Sequence, residues 1–399
     1  MIYDCIIIGA GAAGLFCSSS AGLSVKGLIL EKTKRPGTKL LMSGNGQCNI
    51  THSGSIKEFI QCYGKNGSKI RKCLYKYNNE SLIAFLEDNG VKTVTRSDGK
   101  VFPASMNARD ILNLLLRKTG ENGFRIRYET PAERIEMSSD GWRVYSGSEV
   151  FTAHTLVIAS GGCSYPSTGS DGSLFHVLRR DLKLDITELK PALSSVQVSD
   201  YPYGELSGIS FKNAMVSIWR NGKRLAQNEG GLLLTHRDLS GPAVMNISKL
   251  ALPKDRLHIN YIHPISYEEA FARMKSAVRN TKSGLASVMA SEFRLPKRFC
   301  QLLTERHGDS IKNLARQMTC EEFPISSVSG FNRAMVTSGG IELSQLKLST
   351  MELKDLPGLL AIGEAVDIDG ITGGYNLQFA YSSARAAADR IAELLSTLR

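Results

Sequence analysis

The feature that most constrains the fold is a glycine-rich hexapeptide, GAGAAG, at residues 9–14. It follows a continuous apolar run, residues 3–8, which is typical of a buried parallel strand. Small residues suited to a helix come next, and a second apolar run at residues 27–31 completes a strand–turn–helix–strand unit. A GxGxxG motif alone is weak evidence, but in this context it predicts a turn that binds the pyrophosphate of a dinucleotide.

Each residue of this predicted turn has its own physical reason. Gly9 allows the tight turn, Gly11 lets the backbone approach the pyrophosphate, and Gly14 lets helix and strand pack closely. The N-terminus of the helix then offers free N–H groups and a partial positive charge to the phosphates. Glu31 ends the second strand where a carboxylate can accept both ribose hydroxyls and would repel a 2′-phosphate. Glycine packing without a ligand is the alternative, which the matching context disfavours.

Three further segments have the composition of backbone that lies against a ligand. Residues 37–51 are nearly all small or polar, so we expect them to wrap around a ligand without forming a core, with Lys39 offered to a phosphate or carbonyl. A mobile surface loop is the alternative. Residues 155–162 and 357–364 each form an apolar strand that ends in glycine.

Close to the C-terminus, the glycines of TGGYNLQ at residues 372–378 lead into an Ala/Ser-rich helix. Backbone N–H groups at such a helix start can stabilise a developing anion. In a flavin that anion forms at N1 and the C2 carbonyl upon reduction, so the segment is suited to lie against a flavin.

The predicted secondary structure changes at Pro191. From there to about residue 264, short β-like runs alternate with turn residues, and from residue 266 to about 317 the sequence is helical and charged. Glycine-rich α/β sequence returns after Val336. The simplest organisation is a discontinuous α/β domain with an insert that is part β and part helical.

Five ordered segments resemble the BaiN/RdsA-type FAD-dependent oxidoreductases of the glutathione-reductase-like superfamily, to which aminoacetone oxidase is related. They are GAGAAG, SGNGQCNIT, LLLTHRDLSGPA, TMELKDLPGLLAIGEAVDIDG and TGGYNLQ, and the resemblance runs essentially end to end. This chain departs from the family at Asn45, Gln47 and His52, where glycine, arginine and asparagine are usual. Ser160 also replaces the commoner threonine.

The resemblance implies an α/β fold: a discontinuous Rossmann-like FAD-binding domain with an inserted β-barrel-like subdomain and a small helical subdomain. We predict residues 1–190 and 331–399 for the FAD-binding domain, 191–265 for the β-rich insert and 266–330 for the helical insert. The motifs and the resemblance together define the expected FAD-binding residues. They are Gly9, Gly11, Ala12, Ala13, Gly14, Glu31, Lys32, Lys39, Ser43, Gly44, Asn45, Gly46, Cys48, Asn49, Ala159, Ser160, Gly161, Gly363, Glu364, Asp367, Gly373, Gly374, Tyr375, Asn376 and Leu377.

Composition limits the remaining function classes. The longest apolar stretch, residues 6–17, is too short to cross a bilayer, and no basic residue precedes it. We therefore expect neither a membrane partner nor a secretory signal. The eight cysteines are scattered, with no CxxC pair and no zinc spacing, so we expect no metal site and reduced thiols in a cytoplasmic protein. Cys48 is expected to pack without redox chemistry.

The 49 basic and 38 acidic residues give a net charge of +11. Most of this charge lies in two segments: residues 57–76 hold six basic residues and one acid, and residues 32–39 hold four basic residues and no acid. Because charge runs are usually solvated faces, we favour a solvated face over a surface that binds nucleic acid.

These observations predict an FAD-dependent oxidoreductase that transfers hydride between the flavin and a small organic substrate, with oxidation of an amine or amino ketone favoured. Two alternatives stay open: an NAD(P)H-dependent reductase of an unsaturated or steroid-like acceptor, and an RNA-modifying or RNA-binding flavoprotein. Since FAD takes the single dinucleotide fingerprint, either NAD(P)H docks transiently over the flavin as donor or it is not the physiological donor. The sequence does not indicate an oligomeric state.

We expect the insert to cover the flavin and shape the substrate pocket. His236, in the turn LLLTHRDLSGP, is the candidate catalytic residue, because a histidine there could take a proton as hydride leaves. Hydrogen bonding within the turn is the alternative role for this side chain.

Overall fold

A computed structural model describes residues 1–22, 25–279 and 282–397. The chain divides into two compact units, of which unit 1 comprises Met1–Lys190 and Val336–Arg399 and unit 2 comprises Pro191–Met335. The strands are β1 Ile2–Ile8, β2 Gly27–Leu30, β3 Thr51–His52, β4 Thr93–Thr95, β5 Lys100–Pro103, β6 Phe124–Arg127, β7 Arg134–Ser138, β8 Gly141–Ser146, β9 Glu149–Ile158, β10 Lys190–Ala192, β11 Val196–Val198, β12 Ser210–Arg220, β13 Lys223–Leu234, β14 Leu239–Ser240, β15 Arg256–Asn260, β16 Glu321–Val328, β17 Val336–Ser338, β18 Leu346–Lys347, β19 Glu352–Leu353 and β20 Leu359–Ala361.

The α-helices are α1 Ala12–Ser20, α2 Thr38–Met42, α3 Ile56–Cys62, α4 Arg71–Lys76, α5 Asn79–Asp88, α6 Ala108–Glu121, α7 Ser173–Leu182, α8 Pro242–Met245, α9 Tyr267–Arg279, α10 Leu285–Glu292, α11 Lys297–His307, α12 Ile311–Thr319 and α13 Tyr375–Ser396. Short 3-10 helices occupy Ser43–Gly46, Gly64–Asn66, Pro166–Thr168, Gly204–Leu206, Ser248–Leu250, Leu343–Gln345 and Gly363–Ala365. Among the described helices, none is both long and apolar enough to cross a membrane.

Unit 1 is built on a nine-stranded sheet with the order β18-β19-β20-β9-β1-β2-β6, to which β8 and β7 are added at β9. The five strands from β20 to β6 are parallel to one another. The side chains of β1 from Cys5 to Ile8 are all buried, which explains the uninterrupted apolar run: helices cover a parallel sheet on both faces.

Helix α1 packs between the sheet and two other helices, α6 and α13. Its Phe16 meets Tyr381 of α13 edge to face, with ring centroids 5.4 Å apart. On α6 the apolar residues Ile111, Leu112 and Leu115 are buried, at the spacing of one helix face. The apolar periodicity of the sequence therefore determines which faces of these helices meet.

Unit 2 contains a closed antiparallel barrel with the strand order β11-β14-β13-β12-β15-β16. Helices α9 to α12 contribute to the same hydrophobic core as the barrel strands. Buried Glu321 is satisfied within this core, because Tyr261 donates to it at 2.6 Å and Arg306 at 2.8 Å. Tyr203 donates to the same carboxylate.

The predicted α/β class, with an inserted β-barrel and helices, is confirmed. Two local expectations were wrong. The segment 266–330, expected to be helical, ends in strand β16, whose alternating buried and exposed residues complete the barrel between β15 and β11. Residues 37–51, expected to bury no core, begin with helix α2 and bury Leu40, Cys48 and Ile50.

Candidate cofactor site

Four adjacent parallel strands of unit 1 end at the same edge of the sheet, and each end carries expected FAD-binding residues. Gly9 follows β1, Glu31 follows β2, Ala159 follows β9 and Gly363 comes shortly after β20. Strand β1 pairs with β2 on one side and β9 on the other. A ligand crevice is expected at such a switch point, beyond the carboxyl ends of the strands.

The first turn combines tight packing with open space. A Cβ added to Gly9, where φ is +107°, would lie 2.5 Å from the carbonyl oxygen of Ala159, and one added to Gly14 would lie 2.0 Å from that of Gly9. A Cβ on Gly11 would meet nothing within 4 Å. The turn is therefore close-packed at Gly9 and Gly14 and faces open space at Gly11.

The open side of this turn carries hydrogen-bond donors. The first intrahelical bond of α1 runs from Leu15 N to Gly11 O at 3.0 Å, so the N–H groups of Ala12, Ala13 and Gly14 precede it. No side chain caps this helix start. Donors beside open space fit a pyrophosphate.

Glu31 is buried and held in place by three donors. Its Oε2 accepts from Ala10 N at 2.8 Å, and its Oε1 accepts from Thr33 N at 2.8 Å and Thr33 Oγ1 at 2.7 Å. A carboxylate has about four acceptor positions, so about one is left for a ligand. This leaves room for one ribose hydroxyl, whereas the sequence suggested two. The neighbouring Lys32 pairs with Asp171 at 2.5 Å.

Lys39 and Glu364 form an ion pair at 2.6 Å between Nζ and Oε2. The other oxygen, Oε1, accepts from Ser164 Oγ at 2.6 Å and from Thr337 N at 2.8 Å. Burial alone would raise the pKa of Glu364, but the Lys39 ammonium and these donors hold that pKa below its usual value. The sequence predicted that Lys39 contacts a phosphate or carbonyl group of the ligand. In the structure its positive charge is neutralised by Glu364, another expected FAD-binding residue.

Sequence reasoning missed Ser164 and Thr337. Ser164 comes two residues after the Gly161-Gly162 pair, which would have been a reason to include it. Thr337 lies in the segment where the chain returns to unit 1, so only the tertiary fold brings it to Glu364.

The loop after α2 contains left-handed backbone. Gly44 and Asn45 both have φ of +56°, and Cys48 has +61°. Asparagine is one of the few non-glycine residues that adopt this conformation readily, which explains how Asn45 stands where the family usually has glycine. Gln47 accepts from Arg96 Nη2 at 2.9 Å, so a guanidinium lies beside this position although the family's arginine is absent.

Two other side chains of this segment pack closely. Cys48 is fully buried, and burial raises the pKa of its thiol to about 11, in keeping with the expected packing role. His52, another departure from the family, stacks on Tyr375 with ring centroids 5.6 Å apart, and its Nε2 lies 3.0 Å from the carbonyl oxygen of Asp98.

The start of α13 has two glycines with positive φ. Gly373 and Gly374 have φ of +128° and +95°. In the amide orientation that satisfies its neighbours, Asn49 accepts from Gly374 N at 3.1 Å. The first intrahelical bond runs from Gln378 N to Gly374 O at 2.9 Å.

The N–H groups of Tyr375, Asn376 and Leu377 therefore precede the first bond of α13. The Asn376 side chain has a local role, since it donates to Gly370 O at 2.9 Å and accepts from Gly370 N at 2.8 Å. Asp367 accepts through its backbone oxygen from Asn66 Nδ2 at 2.9 Å. The helix start is thus tied to neighbouring loops through side chains and main chain.

His236 lies in unit 2, on the turn between β13 and β14, and its side chain is exposed. The turn is closed by Thr235, whose Oγ1 accepts from Asp238 N at 2.9 Å. A catalytic role for His236 stays a prediction.

Comparisons with known proteins agree with this architecture. Residues 3–390 match the family described as HI0933-like protein Rossmann domain. The ribosomal RNA dihydrouridine synthase of Escherichia coli (strain K12) is 30% identical, with 97% of each chain covered. The 3-dehydro-bile acid delta(4,6)-reductase of Clostridium scindens is 27% identical, covering 96% of this chain and 98% of that protein.

Among solved structures, 3-ketosteroid delta1-dehydrogenase from Sterolibacterium denitrificans has the same fold. Its TM-score is 0.54 at 12% identity, with 98% of this chain and 99% of that chain covered. The protein belongs to the HI0933-like Rossmann family and is an FAD-dependent oxidoreductase. The resemblance, the fold and the enzyme class expected from the sequence are confirmed.

Proposed function

We propose that the protein uses FAD to reduce the uracil ring of a uridine in ribosomal RNA. The E. coli relative named for this reaction aligns over 97% of both chains at 30% identity. The C. scindens relative, at 27% identity, is named as a 3-dehydro-bile acid delta(4,6)-reductase. Both names support reduction of a conjugated double bond more than the amine oxidation favoured by the sequence, and the RNA substrate is supported by the surface of unit 1.

The observation that carries the proposal is a basic surface formed by five exposed cations, Lys57, Lys65, Lys69, Arg71 and Lys72. Within the described part of the chain, no carboxylate pairs with any of them. Unpaired lysine and arginine side chains are the groups that attract an RNA backbone, because binding releases counterions from the phosphates.

Two neighbours of this basic surface strengthen the case. The single acid of the segment, Glu58, is engaged in the capping box of α3, where its Oε2 accepts from Ser55 N at 2.7 Å. Tyr75, on α4, is 58% exposed. An exposed aromatic ring among cations is suited to stacking on an unpaired base.

Other residues of the segment that carries the basic surface are hydrogen-bonded to the start of α13 and to the loop before it. Cys62 O accepts from Ile371 N at 3.0 Å, and Tyr63 Oη donates to Tyr375 O at 2.7 Å. Asn66, in the same segment, donates to Asp367 O. An RNA strand bound to this surface would therefore pass beside the helix start expected to face the flavin.

Bound FAD would supply the hydride for the reduction. Gly11 and the α1 N-terminus would hold its pyrophosphate, Glu31 one ribose hydroxyl, and the α13 start the pyrimidine end of the flavin. Reduction adds a hydride to one ring carbon and a proton to its neighbour. His236 is the candidate donor of that proton, since a base in the oxidative direction is an acid in the reverse direction. We also propose a cytoplasmic location, with NAD(P)H as transient donor.

A steroid-like acceptor is the second candidate, supported by the bile-acid reductase among the relatives. The test supplies the anaerobically reduced holoenzyme with unmodified ribosomal RNA or with a conjugated steroid ketone. Dihydrouridine is measured by mass spectrometry of nucleosides and the ketone by loss of its absorbance. Aerobic oxygen uptake with amines tests the oxidation predicted from the sequence. Turnover of the ketone or the amine without dihydrouridine would overturn the proposal.

The basic surface is tested separately by RNA binding as a function of salt. Replacing Lys65, Lys69 and Lys72 by Glu should weaken binding by about tenfold or more and lower the salt slope by about one per lost phosphate contact. Flavin content should stay normal. The matched control replaces three exposed lysines of unit 2, Lys212, Lys223 and Lys275. Equal losses in the two triple variants would mean that only net charge matters.

A further inference from the structure

The barrel of unit 2 brings together three side chains that can bind a metal ion. His258 on β15 is the direct cross-strand partner of Glu322 on β16. Cys320 immediately precedes β16, so Cys320 and Glu322 flank Glu321, which is buried in the core. Because successive side chains of a strand point to opposite faces, Cys320 and Glu322 share the outer face of the barrel with His258.

The distances within this cluster suit coordination. Cys320 Sγ lies 3.6 Å from His258 Nδ1, and one ligand atom from each of the three residues lies within 4.8 Å of the other two. In a tetrahedral zinc site, Zn–S of about 2.3 Å and Zn–N of about 2.0 Å place sulfur and nitrogen about 3.5 Å apart. The cysteine and the histidine are therefore already at the separation that a shared zinc ion requires.

Glu322 needs a small rearrangement to join them. Its Oε2 now lies 3.8 Å from Nε2 of His258, the ring nitrogen that does not face Cys320. The carboxylate side chain is 41% exposed, so it can rotate toward the Nδ1 side at little cost in packing.

The imidazole is held by its surroundings. Trp219 of β12 stacks on His258, with ring centroids 5.1 Å apart and planes inclined by 18°. The indole is itself fixed, because its Nε1 donates to Ser217 Oγ at 2.9 Å. Partners that orient a ligand in this way strengthen metal binding, since less freedom is lost when the metal arrives.

We propose that His258, Cys320 and Glu322 bind a zinc ion on the outer face of the barrel, with water as the fourth ligand. Thiolate, imidazole and carboxylate are the ligand types that Zn²⁺ takes in proteins. Binding replaces the thiol proton of Cys320 by the metal and releases that proton to solvent. The ion would join β15 to the junction of α12 and β16, and so would stabilise unit 2 independently of FAD.

The experiment uses the full-length holoenzyme, freed of metal with a chelator and then supplied with zinc. We expect stoichiometric zinc after gel filtration and a rise in the melting temperature. Cobalt in place of zinc should give d–d absorption bands of a tetrahedral thiolate site, which lie to the red of the flavin bands. Cys320→Ser and His258→Gln should abolish both effects, and Glu322→Gln should weaken zinc binding by about tenfold.

Two control variants separate this site from adventitious binding. Cys62→Ser removes another partly buried thiol and His154→Gln another exposed histidine, and both should bind zinc as the unmodified protein does. Thermal unfolding of each zinc-free variant, compared with that of the zinc-free unmodified protein, reports whether unit 2 is folded. Zinc that binds below stoichiometry, or equally well to Cys320→Ser, would overturn the proposal and leave only a thiol–imidazole hydrogen bond.

Discussion

At the scale of single residues, two glycines of the first turn have different roles: Gly14 allows close packing, and Gly11 leaves space for the cofactor. Gly14 is needed for close packing of the folded turn, because any Cβ there would lie 2.0 Å from the Gly9 carbonyl oxygen. Gly11 faces open space. A side chain at Gly11 would fit the folded protein but would occupy the room that the pyrophosphate needs.

Substitution by valine at these two positions should therefore give different proteins. Gly11→Val should fold with a normal melting temperature and purify without yellow colour. Gly14→Val should lose about 1–3 kcal/mol or more of unfolding free energy from overpacking. Flavin absorbance per chain and thermal unfolding measure the two effects. A Gly11→Val protein with stoichiometric FAD would contradict the assignment of the pyrophosphate site.

Glu364 gives a prediction about pH. Its pKa is lowered in the folded protein, so its pairing with Lys39 stabilises the fold above the pKa of the unfolded chain. That contribution is lost as the pH falls through the folded-state pKa. In flavin-free protein, Glu364→Gln should cost roughly 1–3 kcal/mol at neutral pH.

The difference in stability between the unmodified protein and Glu364→Gln should narrow in acid, as measured by denaturant unfolding across pH. Glu205→Gln, which removes an exposed carboxylate of unit 2, is the control and should change little at any pH. A difference for Glu364→Gln that stays constant into acid would show that the ion pair does not govern it.

His236 can be tested through its chemistry. His236→Gln keeps a polar side chain on the exposed turn but cannot transfer a proton. If the histidine is the proton donor or acceptor, flavin content should stay normal while substrate turnover slows by roughly 10²-fold or more. An unchanged rate with a lower melting temperature would assign the side chain to the turn alone.

At the scale of elements, the backbone conformation at the start of α13 is fixed by several contacts of Gly374. Gly374 is its N-cap in left-handed conformation, and a Cβ there would lie 2.7 Å from backbone atoms of Thr51. The Gly374 N–H is used by Asn49, so the donors available to a ligand are those of the following turn. Their direction depends on this one glycine.

Gly374→Pro should therefore expel FAD or lower the reduction potential of the FAD that remains. Proline fixes φ near −65°, removes the donor to Asn49 and adds a ring where a Cβ already clashes. Flavin content and a potentiometric titration are the measurements. Full occupancy with an unchanged potential would mean that α13 does not face the flavin.

At the scale of the whole molecule, the two units differ in what they can bind. Unit 1 has five parallel strands with a glycine-rich turn after the first strand of the chain, whereas the barrel of unit 2 is antiparallel. In the described residues of unit 2, no parallel strand pair with a glycine turn forms a second dinucleotide site. The described residues thus contain one glycine turn of the kind that binds a dinucleotide tightly, the one after β1.

Reduction of the bound flavin by NADH and by NADPH should accordingly be slow and poorly saturable. Anaerobic stopped-flow measurement of flavin bleaching over a range of nucleotide concentrations tests this, with dithionite as the positive control. Rapid reduction that saturates at micromolar nucleotide would contradict the expectation and identify NAD(P)H as a dedicated donor.

The sequence by itself determined the α/β class, the glycine turn and the family, because these depend on local patterns of apolar and small residues. Tight turns, strand ends and helix starts are encoded within a few residues, so the turn at Gly9 and the helix start near Gly374 could be predicted. The basic segment was equally visible in the sequence, although its unpaired state was not.

The tertiary structure alone decided which distant residues meet. Thr337 reaches Glu364, Arg96 reaches Gln47, and the segment that carries the basic surface joins the loop before α13 through the hydrogen bond from Ile371 N to Cys62 O. Likewise, β16 brings Cys320 to His258, sixty-two positions away. Such contacts depend on strand order and register, which follow from the packing of the whole unit and leave no pattern in the local sequence.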